Sequence, residues 1–400
     1  MKRTEALRGG RLLARLLVLL LVGCGEAPRM APEPAAGGRF SVAELLGEQG
    51  EGADPPSYAV ADPGYRLQFP LDHGPHPRFK SEWWYLTLNL SDADGAEFGG
   101  QFTIFRQALR AGAPRSDRDN PWATAQVYLG HLAMTDVAAG QHRFAERLSR
   151  GLPPLAGSRS APFAVWLDDW RLESTGTTFL PARLEAGGED FRWSLTLNEG
   201  KPRVLQGQAG FSPKGPEQAS HYYSYPRLQV SGTLQQGTRE TVVTGTGWLD
   251  REWSTSVLSA GQVGWDWFAL QLDDGRDLML FNLRREDCSR DPYDHGLLVA
   301  ADGRSEYLAA ERFELTPLRQ WSAGWGRHSA WRPLDACRAE HWPLEWRVTV
   351  DDERFLVRAA LSDQRMLTTV HYWEGLVRVF DEHGDVPLGR GYLELTGYAD

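Results

Sequence analysis

The most restrictive feature of this sequence is a long series of short segments in which apolar and polar residues alternate. Such segments recur from residue 65 onward, and Gly, Asp and Asn residues separate them. Alternation with a period of two is typical of β-strands with one buried face. No helical repeat of comparable length is present, and the 16 Trp and 42 Gly residues suit strands and tight turns. The sequence therefore predicts an all-β protein of antiparallel sandwiches or barrels.

The length and the charge of the chain limit the functions it can have. A chain of 400 residues with 42% hydrophobic residues can bury one large or two ordinary cores. Its net charge of −10 offers no basic surface to a nucleic-acid backbone, and it contains no P-loop or dinucleotide-binding glycine motif. We therefore expect no nucleic acid as a partner, no nucleotide and no cofactor.

The N-terminus has the pattern of an exported protein. Several basic residues precede the apolar run Leu16–Leu21, which is shorter than the ~20 residues of a membrane-spanning helix. The run ends at Gly23 and Cys24, an order similar to the lipobox of bacterial lipoproteins. We predict a signal peptide at 1–23, lipidation of Cys24, a tether at 24–62 and a place on the periplasmic face of the outer membrane. An ordinary signal peptide is the alternative.

Export also affects how the two remaining cysteines are interpreted. Cys288 and Cys337 would lie in an oxidising compartment, where a pair of cysteines can form one disulfide. Two buried thiols are the alternative. The spacing of Cys and His residues suggests no metal site, and Pro75 and Pro77 prevent the helix that would bring His73 and His76 onto one face.

An internal similarity suggests two related β units. The segment Ser81–Leu90, followed by an Asp-Gly turn and a second strand, parallels the segment Gly264–Leu272. Both segments combine Trp, an acidic residue and alternating leucines. We therefore predict two lipocalin-like antiparallel β-barrel or sandwich domains, at 63–238 and 239–400.

In each of the duplicated strands, an acidic residue begins a stripe of apolar side chains, that is, a row of them on one face of the strand. Glu82 shares a face with Trp84 and the leucines that follow, and Asp266 shares one with Phe268 and Leu270. A carboxyl surrounded by hydrocarbon can stay protonated near neutral pH, as a general acid requires. The alternative is a structural ion pair with an arginine such as Arg106 or Arg284.

A second acidic pattern lies in the segment Gly245–Ser254. Asp250 and Glu252 fall on one face of the predicted strand, and Arg251 and Trp253 fall on the other. Paired carboxylates can divide acid and base roles around a water molecule. An Asp-Arg-Glu ion-pair cluster that fixes a turn is the alternative.

Several motifs together resemble the AttH/CrtC family of secreted, lipocalin-like proteins. They are Phe69–Pro77, Ser81–Tyr85, Gly247–Ser254, Trp265–Phe268, Tyr372–Gly375 and Gly391–Tyr398. The family includes carotenoid 1,2-hydratases and proteins described only as secreted hydrolases. The resemblance spans residues 65 to 398 and implies two lipocalin-like domains with an apolar ligand tunnel. One position departs from the pattern, because Arg251 stands where the hydratases carry His, and a guanidinium cannot act as a proton donor.

These observations lead to one functional hypothesis and one rival. The first is a lipid-anchored protein that binds a long apolar ligand, such as a carotenoid or another lipid, and hydrates or hydrolyses it by acid catalysis. Asp266 would donate the proton, and Asp250 or Glu252 would orient water. The rival is a carrier or chaperone of apolar ligands without catalysis; the sequence indicates no oligomeric state. The predicted ligand-binding residues are Glu82, Trp83, Tyr223, Trp253, Trp265, Trp267 and Trp373.

Overall fold

The computed structural model describes residues 40–41, 58–111, 124–256, 258–322, 330–333 and 341–398. The predicted signal peptide, Cys24 and Cys337 lie outside the described residues. Cys288 is disulfide-bonded, and its pairing with Cys337 stays a prediction.

The described chain is built almost entirely of strands. The first fourteen are β1 (Phe40–Ser41), β2 (Ser81–Ser91), β3 (Glu97–Ala108), β4 (Gln126–Asp136), β5 (Gln141–Arg150), β6 (Ala156–Ser160), β7 (Phe163–Leu167), β8 (Trp170–Ser174), β9 (Ala182–Gly187), β10 (Phe191–Glu199), β11 (Val204–Leu205), β12 (Phe211–Pro213), β13 (Ala219–Gln236) and β14 (Arg239–Ser254). The others are β15 (Gln262–Leu272), β16 (Asp277–Arg285), β17 (His295–Val299), β18 (Ser305–Ala309), β19 (Phe313–Ser322), β20 (Ala330–Pro333), β21 (Trp342–Val350), β22 (Glu353–Ala359), β23 (Arg365–Leu367), β24 (Val370–Asp381) and β25 (Pro387–Thr396). Two 3-10 turns lie at Leu71–His73 and Ala310–Arg312.

The strands form two large antiparallel sheets. The first has the order β5-β4-β3-β2-β14-β13-β10-β9-β8-β7-β6, with β11 and β12 also paired to β13. The second has the order β18-β17-β16-β15-β25-β24-β22-β21-β19-β20, with β23 antiparallel and the short β1 parallel to β24. The all-β, lipocalin-like fold class is therefore confirmed.

The change from one sheet to the other lies later in the chain than the predicted domain boundary. The predicted boundary at 238/239 falls at the tight turn between β13 and β14, just before Arg239 begins β14, and both strands of that hairpin belong to the first sheet. Strand β14 also pairs with β2 over residues 244–254. The first sheet therefore ends at Ser254, and all strands of the second sheet other than the short β1 follow from Gln262 onward. The described residues of both sheets belong to one compact unit.

Strand alternation divides the apolar side chains among three cores. One core fills the inner face of the first sheet and contains Trp84, Leu86 and Leu88 of β2. Another fills the inner face of the second sheet and contains Phe268 and Leu270 of β15. The third core lies between the sheets and combines residues of both. None of the helices in the described part of the chain is long and apolar enough to cross a bilayer.

Candidate functional site

A cavity lies in the core between the two sheets. The space in it that water-sized molecules can occupy is about 60 Å³, and the cavity is partly open to solvent. Its lining is mostly aromatic, with a few acidic and basic groups. The lining residues are Trp83, Tyr85, Phe105, Ser212, Lys214, Tyr222, Asp250, Glu252, Trp265, Trp267, Phe281, His295, Tyr372 and Glu394.

The period of two along the strands decides which side chains reach this cavity. Trp83 and Tyr85 of β2 point into it, whereas Glu82 and Trp84 point to the first sheet's own core. Trp265 and Trp267 of β15 also line it. The aromatic walls contact one another, with Tyr85 edge-on to Trp267 at a centroid distance of 5.3 Å.

Asp250 is a buried carboxyl held by three donors. The Tyr222 hydroxyl and the Trp248 indole nitrogen each donate to it at 2.7 Å, and the Ser224 hydroxyl donates to it as well. Burial raises the pKa of Asp250 to about 7, and the nearby charge of Glu252 adds to this effect, although the three hydrogen bonds oppose it. A substantial fraction of Asp250 is therefore protonated at neutral pH.

Glu252 lies two residues further along the same face of β14. Its carboxylate accepts hydrogen bonds from the Lys214 ammonium and from the Ser220 hydroxyl, and both of these groups are buried. The Lys214 ammonium also lies 5.1 Å from the centre of the Phe281 ring. The sequence prediction that Asp250 and Glu252 share a face is confirmed, and the ion pair neutralises one of the two acids.

A second acidic pair lies on the second sheet. Glu374 of β24 and Glu394 of β25 are directly opposite each other in the strand register. The Trp265 indole nitrogen donates to Glu394 at 2.9 Å, and the Tyr85 hydroxyl donates to Glu374. Burial raises the pKa of Glu394 to about 7. Burial, together with the charge of Glu394, raises the pKa of Glu374 well above its ordinary value.

A neutral histidine completes the polar lining. The Ser212 hydroxyl lies 3.2 Å from Nε2 of His295, and Nδ1 of the same ring lies 3.0 Å from the carbonyl oxygen of Tyr293. Burial lowers the pKa of His295 to about 4, so the imidazole is uncharged at neutral pH. Within the described part of the chain, no group of three His, Cys, Asp or Glu residues could hold a metal ion.

Asp266 does not lie with these acids. It belongs to the face of β15 opposite Trp265 and Trp267, in a separate cleft of the second sheet. Tyr398 donates to it at 2.8 Å and Asn282 at 2.9 Å, and the Arg284 guanidinium lies 3.4 Å away. Burial raises the pKa of Asp266 despite that arginine. The predicted grouping of Asp266 with Asp250 and Glu252 is therefore corrected, because side chains at adjacent strand positions point to opposite faces.

Glu82 forms a structural ion cluster inside the first sheet. Its carboxylate binds both Arg106 and Arg251, and Nδ1 of His76 lies 3.1 Å from it. Burial alone would raise the pKa of Glu82, but the two arginines hold it well below its usual range. The Arg251 guanidinium also packs 3.9 Å from the centre of the Trp84 ring. Arg251, the position at which the sequence departs from the pattern expected of the hydratases, thus belongs to this cluster and not to the lining of the cavity.

Three other residues predicted to bind ligand are also directed away from the cavity. Tyr223 hydrogen-bonds His73 at 2.6 Å, and Trp253 stacks on His76 at 3.7 Å, both within the first sheet. Trp373 lies in the core of the second sheet. Of the seven predicted ligand-binding residues, Trp83, Trp265 and Trp267 line the cavity.

Sequence reasoning missed several residues of the site. Tyr85 shares a strand face with Trp83, and Glu394 lies within the recognised Gly391–Tyr398 motif, so alternation could have identified both. Ser212 lies in the three-residue strand β12, and Lys214 directly follows it. A strand this short has no recognisable alternation of apolar and polar residues. Their position at the cavity depends on the packing of the two sheets.

Comparisons with known proteins agree with this architecture. The AttH-like family matches residues 60–398. The chain is similar to the crystal structure of a protein assigned as AttH from Nitrosomonas europaea, with 35% identity, a TM-score of 0.72, and coverage of 85% of this chain and 100% of that chain. It also shares the fold of kievitone hydratase from Nectria haematococca, with 14% identity, a TM-score of 0.60, and coverage of 86% and 97%.

A search of the curated proteins finds no significant match. The family match covers more than half of the chain, and the similarity to the Nitrosomonas structure extends over that whole protein. The chain therefore belongs to the AttH-like family.

Proposed function

We propose that the cavity between the sheets binds an apolar, unsaturated small molecule and adds water to it by acid catalysis. The observation that carries this proposal is the pair of carboxyls, Asp250 and Glu394, that line an aromatic cavity with pKa values of about 7. A general acid works best when its pKa is close to the operating pH. A protein of this fold from Nectria haematococca is a hydratase, which supports the reaction class.

The proposed chemistry needs only groups that the cavity contains. A protonated Asp250 or Glu394 transfers its proton to one alkene carbon, and the π electrons form the new C–H bond. The other carbon becomes a cation, and the faces of Trp83, Trp265 and Trp267 stabilise positive charge. Water then forms a C–O bond to that carbon and releases a proton to a cavity carboxylate. Charge and atoms balance without a cofactor.

Binding is tested with N-phenyl-1-naphthylamine, a neutral apolar dye whose fluorescence rises when it leaves water. We expect Trp83→Ala to weaken binding of the dye about tenfold, since a loss of about 1.4 kcal/mol corresponds to part of one aromatic contact. Trp83 lines the cavity and is half-buried. Trp166 is also half-buried but lies outside the cavity lining, so Trp166→Ala serves as the matched control and should bind like the wild type.

Turnover is tested separately, by mass spectrometry of acyclic isoprenoid alkenes incubated with the protein in isotopically labelled water. Incorporation of labelled oxygen supports hydration. Dye binding without incorporation into any alkene overturns the catalytic proposal and leaves a carrier of apolar ligands. Failure of the wild type to bind the dye overturns both.

We also propose that Cys24 anchors the protein to the outer membrane through lipid. Cys24→Ser should leave the protein soluble or as an unprocessed precursor, because a lipid chain supplies the membrane affinity in this proposal. The measurement is fractionation of cells after a high-salt wash, which removes electrostatically bound protein. Retention of the variant with membranes would show that the lipobox interpretation is wrong.

A further inference from the structure

Hydrogen bonds decide which oxygen of Asp250 can carry its proton. Oδ1 accepts from the indole N–H of Trp248, which can only donate, and from the hydroxyl of Ser224. The Ser224 oxygen itself accepts a hydrogen bond from the side-chain amide of Gln206 at 2.8 Å, so the hydroxyl directs its hydrogen to Asp250. Because two donors occupy Oδ1, a proton on Asp250 belongs on Oδ2.

The partner of Oδ2 is the hydroxyl of Tyr222, on the neighbouring strand β13. The two oxygens are 2.7 Å apart, and the indole N–H of Trp267 donates to the same hydroxyl at 3.3 Å. Trp267 cannot reverse this bond, because its indole N–H has no acceptor capacity. Tyr222 and Trp267 both line the cavity. The Tyr222 hydroxyl therefore connects a titratable carboxyl to the cavity wall.

The direction of the bond between Asp250 and Tyr222 depends on whether Asp250 carries a proton. An ionised Asp250 can only accept, so the Tyr222 hydroxyl donates to it and has no hydrogen left for a ligand. A protonated Asp250 donates from Oδ2, and the Tyr222 oxygen then accepts from both Asp250 and Trp267. The hydroxyl hydrogen of Tyr222 is then available to an acceptor atom in the cavity.

Other titratable groups face Asp250 or the same cavity. They are Tyr85, Tyr372, Lys214, Glu252, His295 and Glu394. The lysine and Glu252 form a buried ion pair, and the histidine is uncharged at neutral pH. Burial raises the pKa of Tyr222 and of the other two tyrosines well above the ordinary value, so their hydroxyls keep their protons. Glu394 has a pKa of about 7, like Asp250, so an experiment must separate these two acids.

We propose that Tyr222 binds an acceptor oxygen of the ligand, such as a ketone carbonyl, and does so only while Asp250 is protonated. This inference rests on the proposed function, in which the cavity binds the substrate, and it narrows the substrate to an unsaturated apolar molecule with a carbonyl group. Tyr222 then acts as a specificity-determining residue on the first sheet. Glu394, on the second sheet, is the acid left to protonate the alkene.

The proposal is tested with two ligands of the same shape, 6-methyl-5-hepten-2-one and 2,6-dimethyl-1,5-heptadiene, in which a methylene group replaces the ketone oxygen. Displacement of N-phenyl-1-naphthylamine gives the affinity of each ligand at pH 5 and pH 9. The affinity for the ketone, relative to the diene, should be about fivefold higher at pH 5, the usual contribution of one neutral hydrogen bond. In Tyr222→Phe this ratio should not change with pH.

Tyr392→Phe is the matched control. Tyr392 is a buried tyrosine of the core between the sheets, but it does not line the cavity. The variant should therefore show the same change of the ratio with pH as the wild type. A second readout needs no variant, because the infrared carbonyl band of the bound ketone should move to lower frequency between pH 9 and pH 5.

Three results would contradict the proposal. A ratio and a carbonyl band that do not change with pH in the wild type would overturn the role of Tyr222 and leave the proposed function intact. A change of the ratio that persists in Asp250→Asn and disappears in Glu394→Gln would also overturn it, because Glu394 would then be the group that titrates. Failure of both ligands to displace the dye would overturn this inference together with the proposed function.

Discussion

Glu82→Gln should lower the free energy of unfolding by about 3–5 kcal/mol, the usual effect of removing one partner from a buried ion pair. The Glu82 carboxylate is fully buried between Arg106 and Arg251. The amide of Gln has no charge, so two buried guanidinium groups would lose their counterion. Urea denaturation of wild type and variant at pH 7 measures the difference.

A surface ion pair provides the control for this experiment. Glu353 forms a two-pronged contact with Arg276, at 2.7 and 2.9 Å, but its side chain is 54% exposed. Glu353→Gln should therefore cost less than about 1 kcal/mol. A loss for Glu82→Gln as small as that for Glu353→Gln would contradict the structural role given to the Glu82 cluster.

The Glu82 cluster also predicts the behaviour of the protein in acid. The pKa of Glu82 is lower in the folded chain than its ordinary value of 4.5. Its contribution to stability is therefore complete above about pH 4.5 and is lost as the pH falls towards the lowered folded value. Glu82→Gln should remove that part of the acid sensitivity.

Asp250→Asn should change the pH dependence of stability in the direction opposite to that of Glu82→Gln. The pKa of Asp250 rises from 3.8 to about 7 on folding. Between these values the folded protein keeps a proton that the unfolded chain has released, so the stability contributed by Asp250 falls as the pH rises. A shift of about three pH units corresponds to about 4 kcal/mol. The free energy of unfolding of Asp250→Asn, relative to wild type, should therefore rise by up to about 4 kcal/mol between pH 4 and pH 8.

The control for Asp250→Asn is a carboxyl with the opposite shift. Asp351 is exposed, and its hydrogen bond with Arg312 lowers its pKa. Relative to wild type, Asp351→Asn should become slightly less stable as the pH rises through the acidic range. A flat difference between Asp250→Asn and wild type over this range would show that Asp250 titrates normally. Any loss of stability from a poorer fit of the Asn amide among the three hydrogen-bond donors is the same at every pH. It does not alter the change of the stability difference with pH.

The period-two patterns were sufficient to predict the local geometry of several strands. The stripe that begins at Glu82 and the stripe that begins at Asp266 both pack into their own sheet, and Asp250 and Glu252 share a face. The arginine pairs suggested as alternatives, Glu82 with Arg106 and Asp266 with Arg284, are present. These features depend on neighbouring residues or adjacent strands, where alternation is informative.

The location of the site could not be predicted in the same way. Alternation shows which residues share a face of a strand but not which face lines a ligand space, and the cavity lies between the two sheets. Asp266, Trp253 and Trp373, which were predicted at the site, lie on the faces of their strands that point away from it. Which face of a sheet packs on the other sheet depends on contacts between distant residues, such as Tyr85 with Glu374.

The central claim is that two carboxyls in the cavity between the sheets are acids of pKa near 7. Carbon-13 NMR of labelled Asp and Glu carboxyls, followed from pH 3 to pH 9, measures this property most directly. The signals are assigned by their absence in Asp250→Asn and Glu394→Gln. The account predicts midpoints of about 7 for Asp250 and for Glu394, well above the ordinary values of 3.8 and 4.5. Midpoints within the ordinary range for both groups would contradict it, because the cavity would then hold no acid at neutral pH.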